Sequence, residues 1–114
     1  MIRNRQRRTK PVDVDVPYQI HLVENTQIQQ IKNYQELCQE ALDMHHCVEI
    51  YHNEIASGRY AVFRVLTPER MTVGISIKPK LSFPYQIEQI SGVRNARPNE
   101  ETLTHVHQWL AQQK

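Results

Sequence analysis

The sequence predicts an α+β fold: an antiparallel meander of three to four strands packed on one face by helices, with helices before and after the sheet. Three observations predict it. Apolar residues recur every third or fourth position from Ile28 to Ile55, which is the period of a helix buried along one stripe. From Arg59 onward the period drops to two and β-branched and aromatic residues dominate. The later strands are joined by the short stretches Thr67-Pro68-Glu69-Arg70 and Pro79-Lys80-Leu81-Ser82-Phe83-Pro84, which suit antiparallel neighbours.

Taken in order, residues 1–12 lack hydrophobic periodicity and hold Arg3, Arg5, Arg7, Arg8 and Lys10, with no acidic residue among the first ten. Like charges repel, so this reads as a basic, flexible arm ahead of one domain over residues 13–114. Tyr18, Ile20 and Leu22 alternate, so Tyr18 to Val23 is the candidate fourth strand, and Pro17 places it at a sheet edge. Ile28, Ile31, Tyr34, Leu37, Cys38, Ala41 and Leu42 follow at helical spacing, with Asn33 allowing either a continuous helix or a break before Tyr34. A bend is expected near Asp43 to His46, then a helix burying Val48, Tyr51 and Ile55 that ends on Gly58 in a left-handed cap. Arg59 to Leu66, Thr72 to Lys78 and Tyr85 to Val93 read as strands. Pro98-Asn99 opens a last helix whose buried stripe is Leu103, Val106, Trp109 and Leu110.

Composition bounds the function classes. With 114 residues and 39% hydrophobic content there is material for one modest core. The formal charge of +2 is concentrated in the arm, leaving a slightly acidic body and no globally basic surface. No apolar run reaches the roughly 18 to 20 residues that span a bilayer, and Pro11-Val12-Asp13 after the basic start is not a secretory apolar region. The expectation is a cytoplasmic protein with no membrane partner. In that compartment Cys38 and Cys47 are free thiols, a disulfide between them being the rival reading. Three scattered glycines exclude a phosphate-cradling loop or a dinucleotide fingerprint.

Several short elements then occur in a characteristic order. Met44-His45-His46-Cys47-Val48 is followed by Tyr51, a helix-ending glycine, the strand Arg70-Met71-Thr72-Val73-Gly74-Ile75, and Gln89-Ile90-Ser91-Gly92-Val93-Arg94-Asn95 before the terminal helix. This pattern resembles the core of the PcfJ-like proteins over about residues 35–110. The resemblance implies a protein of conjugative plasmids, phages or related mobile elements, a family with no agreed biochemical activity. Residue by residue it maps onto His46, Cys47, Tyr51, Gln89, Gly92 and Asn95. Two positions depart from the family pattern: Glu49, where a small residue is common, and Gly74, where an acidic one is common. The chain is also shorter than many relatives, which implies a version reduced to the core.

Three candidate sites follow. His46 beside Cys47 can activate a thiol, but on a helix adjacent side chains diverge by about 100°, so a partner such as Gln89 or Asn95 is needed to complete a Cys/His site, with Tyr51 nearby. The plain alternative is a Cys47 packed in the core and a His46 that caps a helix. Next, if residues 45–52 are helical, His45, Glu49 and His52 share a face that zinc accepts, with Cys38, His105 or His107 as a remote fourth ligand. Without paired motifs this is the weaker reading, and no cofactor is expected. Finally, Arg94, Asn95 and Arg97 cluster past Gly92, suited to phosphate or a base edge, and with Arg3, Arg5, Arg7, Arg8 and Lys10 they are the candidate contacts to DNA or RNA.

Three function classes are therefore expected in descending order. The first is a nucleic-acid-associated accessory protein of a mobile element. The second is a Cys/His-dependent hydrolase or nuclease. The third is a protein-interaction module using a sheet edge or the Trp109 helix.

Overall fold

The computed structural model describes residues 14–113, so the basic arm and its Arg3, Arg5, Arg7, Arg8 and Lys10 lie outside the described residues. Four antiparallel strands in the order β1-β2-β3-β4 form the sheet: β1 (Ile28–Gln30), β2 (Tyr60–Val65), β3 (Met71–Ile77) and β4 (Tyr85–Ser91). Helices α1 (Tyr34–Met44) and α2 (His52–Ala56), joined by the 3-10 turn Val48–Tyr51, come between β1 and β2, and α3 (Glu100–Ala111) follows the sheet. The α+β class, the meander and the helices on either side of it in sequence are as expected.

The layering differs from the expectation of helices on one face. Along β2, Tyr60 and Val62 pack with Leu37, Ala41, Val48 and Ile55 of the α1–α2 layer. The alternate residues Ala61, Phe63 and Val65 pack with Val106, Trp109 and Leu110 of α3. Successive strand side chains point to opposite faces, so both faces are covered. The nearly unbroken apolar run Tyr60-Ala61-Val62-Phe63 is the sequence signature of that double burial.

The fourth strand is also not where alternation placed it. Tyr18 to Val23 forms no ladder, and β1 is Ile28–Gln30, inside the stretch with helical spacing. Tyr18 N–H donates to Lys32 O at 3.0 Å, and for residues 20–23 side chains take the role of a neighbouring strand. The Gln30 carboxamide accepts from Leu22 N–H at 3.0 Å and donates to Ile20 O at 2.6 Å. Gln113 Oε1 accepts from Val23 N–H at 2.9 Å, and Trp109 Nε1 donates to Val23 O at 2.7 Å. Backbone polar groups satisfied in this way need no sheet partner. Asn33 is the break: its side chain caps α1 by accepting from Glu36 N–H at 2.8 Å. Gly58 takes the expected left-handed conformation at φ 82°.

β4 carries one irregularity that positions the site. Gly74 pairs with Gln89 but Ile75 pairs with Ile87, leaving Glu88 as an extra residue. The bulge lets Ile87 and Ile90, three positions apart, both pack toward the α3 core. It leaves Gln89 and Ser91 opposite Gly74 and Thr72, on the face beneath the α1–α2 turn.

Candidate functional site

Helix α1 stops at Met44 because His45 adopts the left-handed conformation (φ 55°, ψ 49°) and returns its N–H to Ala41 O. Cys47 then precedes the 3-10 turn. Residues 45–47 are therefore not helical, and the divergence of adjacent helical side chains does not apply to His46 and Cys47. Both line one cleft of about 180 Å³, together with Tyr51, Thr72, Gln89, Ser91 and Asn95. All five residues proposed from sequence for the Cys/His site, His46, Cys47, Tyr51, Gln89 and Asn95, are brought together there.

The far lip is a turn of unusual backbone. Arg94 and Asn95 are both left-handed, at φ 55° and 64°, and the turn is closed by Gly92 N–H to Ala96 O at 2.7 Å and Ala96 N–H to Val93 O at 3.1 Å. His45, Arg94 and Asn95 are the non-glycine residues of positive φ among those described, and each is in or beside the cleft wall. Such conformations cost roughly 1–2 kcal/mol per residue and concentrate where a site requires them.

Behind the cleft a polar chain leads to His46 through Arg70, Glu40 and Thr72, three residues that the sequence did not mark as functional. The Glu40 side chain, 0% exposed, receives Arg70 Nη1 at 2.9 Å and Arg70 Nη2 at 2.5 Å. It also accepts from the Thr72 hydroxyl, whose Oγ1 lies 3.0 Å from His46 Nε2. His46 Nδ1 is buried without a hydrogen-bond partner. Burial holds the His46 imidazole below its ordinary proton affinity, against the opposing pull of Glu40, of the residue's own backbone and of Glu49, and with the help of Arg70. A signal for Glu40 was present: it falls with Leu37, Ala41 and Met44 on the buried stripe of α1, where a carboxylate must find partners.

Cys47 is exposed and a free thiol, so it is not a core residue, and Cys38 is a half-buried free thiol. Tyr51 stacks on Tyr60 with ring centroids 4.5 Å apart and 7° between planes. Burial first, and then Tyr51 and Glu88, push the Tyr60 hydroxyl above the ordinary tyrosine range.

The zinc geometry does not form. The left-handed His45 breaks the helix that His45, Glu49 and His52 would share, and His45 is exposed while His52 is buried with Nδ1 2.9 Å from the Tyr18 hydroxyl. His105 and His107 belong to α3, on the opposite face of the sheet. Among the described residues no group of three or more His, Cys, Asp or Glu could hold a metal ion. Arg94 and Arg97 are exposed, next to the cleft residue Asn95. Among the described residues no helix is long and apolar enough to cross a membrane.

No curated protein and no solved structure matches the chain. The family model described as PcfJ-like protein matches residues 2–107, a span wider than the stretch whose motifs carry the resemblance. The chain belongs to the PcfJ-like protein family.

Proposed function

We propose that the cleft is the active site of a Cys/His-dependent hydrolase or acyl-transfer enzyme. The observation that carries this reading is the placement of His46. It shares a polar cleft with an exposed thiol, is hydrogen-bonded at Nε2, and is left without a partner at Nδ1. An oriented imidazole and an accessible thiol lining one cleft supply the pair that nucleophilic catalysis uses once the Cys47 side chain turns to Nδ1, which has no hydrogen-bond partner in the resting structure. In this reading His46 takes the Cys47 proton as the sulfur attacks an electrophilic carbon, and returns it to the leaving group. Water, activated by the same imidazole, then cleaves the thioester. The Gln89 and Asn95 carboxamides supply donors for the oxygen that gains charge. The test is incubation with an activated ester followed by mass spectrometry. Acyl label on Cys47, lost in Cys47→Ser and slowed in His46→Gln, supports the reading. Acylation of Cys47 at the rate of a free cysteine contradicts it.

A second reading is favoured by a different observation, the exposed Arg94 and Arg97 beside the lip. Together with the basic residues 1–10, and with the plasmid and phage setting that the family resemblance implies, they support a nucleic-acid-associated accessory role. Here affinity for DNA or RNA falls steeply with salt and on deleting residues 1–10. Salt-independent binding, or none, sinks it.

A further inference from the structure

We propose that Glu40, acting through Thr72, is a positioning residue that fixes His46 as the Nε2–H tautomer and leaves Nδ1 as the nitrogen that accepts a proton. The inference rests on the active-site reading only for its consequence, because the tautomer is measurable without any activity. The protons along the chain of contacts can be counted. Arg70 brings only donors to Glu40, so the carboxylate it grips accepts. The Thr72 hydroxyl has a single proton, and its contact with Glu40 Oε2 uses it. Its oxygen can therefore only accept at the 3.0 Å contact with His46, which requires the proton on Nε2. The lone pair of the neutral ring is then on Nδ1, the buried atom with no partner.

The arrangement differs from a carboxylate bonded directly to an imidazole. A neutral hydroxyl stands between the two charges, so orientation is transmitted while the imidazolium gains no contact ion pair. A ring held in this way serves as a base rather than as a resident cation. Arg70 is the anchor: with its side chain 31% exposed, it links the buried carboxylate to solvent and keeps the acceptor pointing at Thr72.

The experiment is long-range 15N–1H correlation on histidine-labelled full-length protein near neutral pH. The wild type is expected to show His46 protonated at Nε2, with a slowly exchanging low-field proton. Thr72→Ser, which keeps the hydroxyl, retains that signal, and Thr72→Val loses it. Glu40→Gln frees the Thr72 proton to point at Nε2 and moves the ring toward the Nδ1–H form. A wild-type ring protonated at Nδ1, or a low-field proton that survives Thr72→Val, overturns the proposal, and the threonine series decides the matter even if Glu40→Gln does not fold. A reactive Cys47 beside an Nδ1–H ring would overturn the relay and keep the active site. An inert Cys47 beside an Nε2–H ring would keep the relay and overturn the active site.

Discussion

The hydroxyl of Tyr60 lies over Gly74. A Cβ built on that glycine would stand 2.0 Å from the Tyr60 oxygen and 2.8 Å from Cζ. The neighbouring ring is held by its stack on Tyr51, so it has little room to withdraw. Gly74→Ala is therefore expected to destabilise the fold by about 1–3 kcal/mol, the usual cost of overpacking. Tyr60→Phe removes the nearest atom and recovers part of that loss in the double variant. Urea unfolding of the three variants checks both statements. The same contact accounts for the glycine at position 74: no side chain fits under Tyr60.

Glu40→Ala leaves Arg70 and Thr72 without their shared acceptor. Removing one partner of a buried, hydrogen-bonded ion pair costs roughly 3–5 kcal/mol, and the partial exposure of Arg70 reduces this to about 2–3 kcal/mol. Chemical denaturation should show that loss. Arg70→Lys is expected to restore less than the wild-type stability, since an ammonium cannot reproduce the two-pronged contact.

Most of the fold was legible where one periodicity persisted. β2, β3, β4 and α3 were all marked by their apolar spacing and by Asn99, whose side chain caps α3 through Thr102 N–H at 2.9 Å. The failure before Tyr34 has a physical cause. Ile28 and Ile31 lie on opposite faces of the sheet, one with each core, so two isoleucines three apart imitated a helical stripe. The alternation from Tyr18 to Leu22 in turn belongs to an extended segment held by Gln30 and Gln113 rather than by a ladder. For the candidate site, the chemistry-bearing residues were readable as types in order, but their convergence was not. It depends on the left-handed His45 and on the extra residue at Glu88, neither of which involves glycine or proline. Thr72 was legible only as a strand residue, because its part depends on contacts 32 and 26 residues away in the chain.

The lowered proton affinity of His46 makes stability depend on pH. Between the depressed folded value and the unfolded value of about 6.5, the unfolded chain binds more protons, so stability rises with pH. The contribution is complete above about pH 6.5 and is lost as pH falls through that value toward the folded one. Unfolding free energies measured from pH 5 to 8 should therefore fall more toward low pH in the wild type than in His46→Gln. Equal slopes would contradict the assignment.

Asn33 is the helix-starting cap that ends β1 and directs α1 toward the cleft. Asn33→Ala should cost about 1 kcal/mol through loss of the contact to Glu36 N–H. Asn33→Ser retains an acceptor and should recover most of it. Denaturation midpoints check the pair.

Activation of Cys47 by His46 is read from the rate of iodoacetamide labelling in the native protein, resolved by mass spectrometry. Exposure alone makes Cys47 more accessible than Cys38, so the comparison that matters is wild type against His46→Gln. Cys47 labelling is expected to slow by about tenfold or more in His46→Gln, as when a positioned base is removed, and the difference to disappear on unfolding. A Cys47 rate that is the same with and without the imidazole would contradict it.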